Sequence, residues 1–165
     1  MQMIELHDDL QLLTFELHNR QLSIATAESC TGGLVASLLT EFPGSSVWFE
    51  RGFVTYSNLA KQEMLGVEEN LLKKYGAVSI EVAEAMALGA LKHSTAQVAL
   101  SITGIAGPDG GSKEKPVGTV CFGFAMHNAP VCSQRILFDN TSRHQIRRDA
   151  CKTALQEMLK FINCQ

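Results

Sequence analysis

The sequence has no CxxC pair and no His-rich ligand spacing, and its five cysteines, Cys30, Cys121, Cys132, Cys151 and Cys164, are odd in number and scattered. That pattern argues against a structural zinc site and a secreted disulfide framework, and points to a reduced, cytoplasmic protein with no metal. No apolar run is long enough to span a bilayer. The opening MQMIELHDDLQLLTFELHNR is acidic and amphipathic, where a signal peptide is basic and then apolar. Excess positive charge is also missing: 14 lysines and arginines face 17 aspartates and glutamates, a formal net charge of -3. Nucleic acid and acidic membrane are therefore poor partners, and any anion site must be local. There is no internal repeat, low-complexity tract or linker. What is present, 165 residues of which 45% are hydrophobic and 19% charged, suits a single domain spanning residues 1–165.

Hydrophobic spacing sets the order of elements. Met3, Leu6, Leu10, Leu13 and Leu17 recur at steps of three and four, one apolar face of a helix. LSIATA (22–27) reads as a buried strand and GGLVASLLTEF (32–42) as a helix stopped by Pro43-Gly44. RGFVTYS (51–57) reads as a strand, NLAKQEMLG and EENLLKKYG as short helices closed by glycine, and Ser79 as the N-cap of a helix over 80–94. QVALSIT (97–103), GTVCFGFAM (118–126) and VCSQRILF (131–138) are strand-like, the last two joined by a connection short enough to require an antiparallel hairpin. A final helix runs from Arg143. The pattern predicts a three-layer α/β/α sandwich around a mixed, mostly parallel five-stranded sheet.

Ligands in such folds bind beyond the carboxyl ends of the parallel strands. Three stretches fall there. In ESCTGG, Ser29, Cys30 and Thr31 precede Gly32 and Gly33, which the pattern places in the first turn of a helix, where glycine is unfavourable unless a ligand approaches the backbone. Ser29 and Cys30 are both candidate nucleophiles; simple helix capping by the hydroxyls is the alternative. TYSNLAK supplies Tyr56 and Lys61. No histidine is well placed in sequence, so a lysine of lowered pKa is the candidate base for Ser29, with Tyr56 relaying the proton or orienting Lys61. The long loop TGIAGPDGGSKEKPVG starts with Thr103 and Gly104 at the strand end. Arg143, Arg147 and Arg148 open the last helix, where a cation opposes the dipole; Arg143 and Arg147 share a face and form a candidate phosphate clamp.

Together, TAESCTGG (26–33), GFVTYSNLAK (52–61), GAVS (76–79), SITGIAGPDGGSKEKPVGTV (101–120) and the arginines of the last helix resemble the CinA C-terminal domain family, the nicotinamide-nucleotide amidohydrolases or nicotinamide mononucleotide deamidases. The resemblance runs through nearly the whole chain. It implies the same α/β/α sandwich and a cofactor-free, metal-free hydrolase that converts nicotinamide mononucleotide to nicotinate mononucleotide and ammonia in pyridine-nucleotide recycling. The family's catalytic serine, tyrosine and lysine fall on Ser29, Tyr56 and Lys61, and its threonine and substrate-binding arginine on Thr103 and Arg143. Cys30, Thr31, Gly32, Gly33, Gly104 and Arg147 complete the expected substrate site, with amides of the Cys30–Gly33 turn as oxyanion donors. The separate N-terminal domain of longer members, which acts on ADP-ribose-type substrates, is not expected here. One departure is Thr141-Ser142 where the family commonly has Gly-Asp. The expected partner is the small-molecule substrate, with self-association as a dimer. The other readings are a catalytically weak or inactive pyridine-nucleotide-binding protein and an interaction protein that assembles through its N-terminal helix.

Overall fold

The computed structural model of the chain describes residues 2–139 and 142–165, with residues 2–5 as backbone alone; the Met3 side chain and Thr141 lie outside the described residues. Among the described residues six α-helices and five strands appear in the order α1 (Gln2–Asn19), β1 (Ile24–Glu28), α2 (Leu34–Leu39), β2 (Phe49–Val54), α3 (Asn58–Leu65), α4 (Glu69–Tyr75), α5 (Ile80–Lys92), β3 (Val98–Gly104), β4 (Thr119–Met126), β5 (Cys132–Leu137) and α6 (Arg143–Asn163). The sheet order is β2-β1-β3-β4-β5. β1 is parallel to β2 and β3, whereas the β3–β4 and β4–β5 ladders are antiparallel. Four strands therefore share one direction and β4 opposes them, in agreement with the mixed, mostly parallel sheet read from the sequence.

Strand alternation divides the core in two. One face carries large side chains, Ile24, Leu100, Ile102, Phe122 and Phe124, packed under α1, α2 and α6. Leu10, Leu13 and Leu17 are buried there, so the helical stripe is core, while Leu12 and Phe15 face outward on the same helix. The other face is made of small residues, Ala25, Ala27, Ala99 and Ala125, and lies under α3, α4 and α5. Smallness lets α5 sit close to the sheet. The Ser101 hydroxyl donates to the Ala83 carbonyl at 2.5 Å, and a Cβ at Gly123 would collide with that same carbonyl. The close approach of α5 brings the preceding segment, Gly76–Ser79, over the strand ends.

Element boundaries differ from the sequence expectation where side chains compete for the backbone. α2 begins at Leu34, because Gly32 and Gly33 adopt left-handed φ of 59° and 97° and belong to the turn before it. These glycines answer a backbone requirement rather than a ligand's approach within the helix. β2 ends at Val54 instead of Ser57. There the Ser57 hydroxyl caps α3 by accepting from Ala60 N at 3.0 Å, and the Thr55 and Tyr56 carbonyls turn toward Lys61.

Candidate active site

At the end of β1 the period-two alternation sends two consecutive residues to opposite faces. Glu28 enters the layer containing α2, and Ser29 faces the layer containing α3. The ladder holds both: Ser29 N–H donates to Ile102 O at 2.9 Å and Thr55 N–H to Glu28 O at 2.8 Å. From α3, Lys61 extends beneath the strand ends and is only 1% exposed. Its Nζ lies 3.0 Å from Ser29 Oγ, 3.0 Å from Thr55 O and 3.3 Å from Tyr56 O. These acceptors are all neutral. Burial lowers the Lys61 pKa below the ordinary lysine value, and the bonded neighbours supply no carboxylate to restore it. The arrangement is a hydroxyl paired with a desolvated amine, the geometry of a nucleophile beside its base.

The pair opens into a cavity of about 210 Å3 lined by Ser29, Cys30, Tyr56, Asn58, Lys61, Ala77, Val78, Thr103, Gly104, Ala106 and Arg143. Among the described residues no histidine lines it. Thr103 is buried, and its hydroxyl donates to Ala77 O at 2.8 Å, so it supports the cavity wall as well as lining it. Gly104 leaves no space for a side chain: a Cβ there would lie 2.8 Å from a Val120 methyl and 3.0 Å from Cys30 Sγ. The same crowding buries Cys30, whose thiol pKa is pushed up to about 12, chiefly by desolvation. It is not a thiolate near neutral pH, which weighs against Cys30 as the nucleophile.

Tyr56 contributes differently from the expectation. Its backbone carbonyl meets Lys61, whereas its phenol is exposed and its oxygen accepts from Arg143 at 3.3 Å. Arg143 is in turn anchored by donating to Gly107 O at 2.7 Å, and it stands at the cavity mouth. Ser142 begins α6, its hydroxyl accepting from Gln145 N. The glycine-rich loop is tied down: besides Gly107, Lys115 Nζ donates to Tyr75 O at 2.6 Å and Arg135 to Glu114 O at 2.6 Å.

Two features were not legible as such. Arg147 does not join Arg143 as a phosphate clamp. It lies on the other side of the turn, donating from Nε to Cys30 O and from NH2 to Thr31 O, both at 3.0 Å, with Gly32 beneath the guanidinium. Glu28, which the sequence reading passed over, is 1% exposed and accepts from Thr31 Oγ1 at 2.6 Å, Gly33 N at 3.1 Å, Val35 N at 3.1 Å and Ala36 N at 2.9 Å. It caps α2 from inside. The available sign was a lone acidic residue ending the apolar run IATA just before a turn.

This capping narrows the possible oxyanion donors. Gly33 N–H is committed to Glu28, Gly32 N–H to Ser29 O and Ser29 N–H to Ile102 O. The amides of Cys30 and Thr31 donate to no other residue among the described residues; Cys30 lines the cavity, its N–H facing its own thiol, whereas Thr31 is fully buried and does not line it.

Comparisons with known proteins give the family and the fold. The family model for the CinA C-terminal domain matches residues 8–162. The nicotinamide-nucleotide amidohydrolase PncC of Escherichia coli K12 is 54% identical over 142 residues, 86% of this chain and 86% of that protein. Its counterpart from Enterobacter agglomerans is 54% identical over 141 residues, covering 83% and 85%. Among solved structures, the competence/damage inducible protein CihA from Agrobacterium tumefaciens superposes with a TM-score of 0.92 at 45% identity, over 96% of both chains. A CinA superfamily protein from Klebsiella pneumoniae also gives 0.92, at 29% identity and 97% and 99% coverage. The ordered motifs, the sandwich and these similarities lead to one conclusion: the chain belongs to the CinA C-terminal domain family.

Proposed function

We propose that the protein is a nicotinamide-nucleotide amidohydrolase that converts nicotinamide mononucleotide and water to nicotinate mononucleotide and ammonia through a serine nucleophile and a lysine base. The observation that carries this reading is the buried Lys61 Nζ at 3.0 Å from Ser29 Oγ. Relatives with 54% identity named for that reaction support the substrate.

Ser29 Oγ attacks the carboxamide carbon while neutral Lys61 takes the hydroxyl proton, and the carbonyl π pair moves onto oxygen. The amide of Cys30, the residue after the nucleophile and part of the cavity lining, stabilises that oxyanion. Collapse breaks the C–N bond. The Lys61 proton goes to the leaving nitrogen, giving ammonia and an ester on Ser29. Water then attacks the ester as Lys61 accepts its proton; the C–O bond to Ser29 breaks, the proton returns to Oγ, and the carboxylic acid is released and ionises. The Thr55 and Tyr56 carbonyls hold the amine on its serine throughout.

At about 210 Å3 the cavity is smaller than the roughly 300–1,000 Å3 usual for whole ligands. It suits the pyridine carboxamide, between Ala77, Val78 and Ala106, with the ribose phosphate at the mouth. Arg143 binds the phosphate and Tyr56 carries Arg143. Thr103 holds the Ala77 wall. Arg147 is assigned to the turn and not to the substrate.

The test is ammonia release from nicotinamide mononucleotide, with nicotinamide and NAD as controls and Ser29→Ala alongside. Release from the mononucleotide, abolished in Ser29→Ala, is the expected result. Full turnover by Ser29→Ala would remove Ser29 as nucleophile, and saturable binding without release by the unaltered protein would make it a binding module.

A further inference from the structure

The Ser29–Thr31 turn is held from two sides by residues that do not line the cavity and that bond different atoms of the turn. Below it, Glu28 gathers the Thr31 hydroxyl and the amides of Gly33, Val35 and Ala36. Above it, Arg147 spans 117 residues of sequence to bind the Cys30 carbonyl and adds the Thr31 carbonyl through its second nitrogen. The two grips are complementary: a carboxylate accepts from donors and a guanidinium donates to acceptors. Between them the Thr31 hydroxyl and both carbonyls of Cys30 and Thr31 are fixed; the Cys30 and Thr31 amides donate to no other residue among the described residues, and of the two only Cys30 lines the cavity.

A capping role alone does not account for this investment. α2 has only six residues, Leu34–Leu39, and a neutral serine or asparagine would cap it without burying a full charge. Arg147 is likewise placed in the first turns of α6, where the dipole disfavours it. Both costs are localised on the backbone that follows the nucleophile. Oxyanion donors contribute most when they need no reorganisation during reaction, and a displacement of about 1 Å can cost about 100-fold in rate.

We propose that Glu28 and Arg147 are positioning residues that pre-organise the turn after Ser29, keeping the cavity-lining Cys30 amide in place for the oxyanion while touching no substrate. This rests on the serine-hydrolase reading above. Neither residue belongs to the catalytic pair, and their contribution is confined to the transition state. Ground-state binding, built by Arg143 and the Ala77–Val78 wall, is left alone.

The experiment compares Glu28→Gln and Arg147→Lys with the unaltered protein. Glu28→Gln keeps the shape but places an amide NH2 among groups that are all donors; Arg147→Lys keeps the charge but loses the fork. Three quantities are measured on nicotinamide mononucleotide: kcat, KM, and inhibition by the matching nicotinaldehyde mononucleotide, whose carbonyl adds Ser29 to give a tetrahedral adduct. Expected is a fall in kcat of about 10- to 100-fold with KM unchanged, and a rise in the aldehyde inhibition constant by the same factor. Binding of the mononucleotide to Ser29→Ala carrying either substitution stays within about twofold of Ser29→Ala itself. A purely structural role lowers thermal stability and the active fraction but leaves aldehyde affinity per active site unmoved. Folded variants with unaltered kcat and aldehyde affinity would overturn the inference. If Glu28→Gln does not fold, the half-exposed Arg147 decides alone through Arg147→Lys. Failure of the underlying reading is separate: it appears as turnover that survives Ser29→Ala.

Discussion

Replacing Lys61 by methionine isolates the amine from the stem that carries it. The side chain is 1% exposed and fills a slot between α3 and the strand ends, and methionine occupies nearly the same volume. What disappears is Nζ, with its bonds at 3.0 Å to Ser29 Oγ, 3.0 Å to Thr55 O and 3.3 Å to Tyr56 O. Losing a general base lowers rate by about 10²–10⁴-fold, about 2.7–5.4 kcal/mol at about 1.36 kcal/mol per tenfold. The upper half of that range is expected, because no other base contacts Ser29 among the described residues. KM stays within about threefold, since Nζ serves the nucleophile and not the ground-state substrate. Two carbonyls lose a donor at about 1 kcal/mol each, and relief of a desolvated amine opposes that loss. The melting temperature therefore moves by less than about 6 °C. Lys61→Arg separates base from donor: arginine can still donate to the carbonyls but stays protonated, so ammonia release remains abolished. Turnover by Lys61→Met within about tenfold of the unaltered protein, or recovery in Lys61→Arg, would refute the reasoning.

The lowered pKa of Lys61 gives kcat/KM an acidic limb, rising with pH and levelling off below the ordinary lysine value of about 10.4. Between the folded and unfolded pKa values the unfolded chain holds more protons, so stability also rises with pH across that window, a component that Lys61→Met removes. Cys30→Ala keeps most activity and the same profile, because a thiol at about 12 is protonated throughout; selective loss in Cys30→Ala but not Ser29→Ala would reassign the nucleophile. Arg143→Ala raises KM for the mononucleotide by about 10-fold or more while leaving the phosphate-free riboside unaffected, as loss of a charge-assisted contact worth about 1.5–3 kcal/mol predicts. Gly33→Ala forces a Cβ into φ 97° with Val54 at an ordinary 3.6 Å, so its cost is conformational, about 1–2 kcal/mol, read as a melting temperature lower by about 2–8 °C.

Local pattern carries information that neighbours in sequence share, and that is why the elements were legible. The Leu10, Leu13 and Leu17 stripe, the Ser79 cap, the β4–β5 hairpin and Ser29 at a strand end all follow from spacing of a few residues. Lys61 was also legible as a candidate, by its distance along the chain from a strand end, although an exposed helix face is the more usual place for a lysine. Tertiary structure decided what depends on two distant segments meeting. It buried Lys61 against Ser29, moved the Tyr56 phenol away to Arg143, and turned Arg147 from the substrate toward the Cys30 and Thr31 carbonyls. It also gave Glu28 its partners, although the sequence offered only an acidic residue in an apolar run. For Lys61, Arg147 and Glu28 the reason is shared: a charged side chain drawn into the packed layers takes the polar partners that desolvation requires, and the packing of layers is a property of the fold rather than of the string.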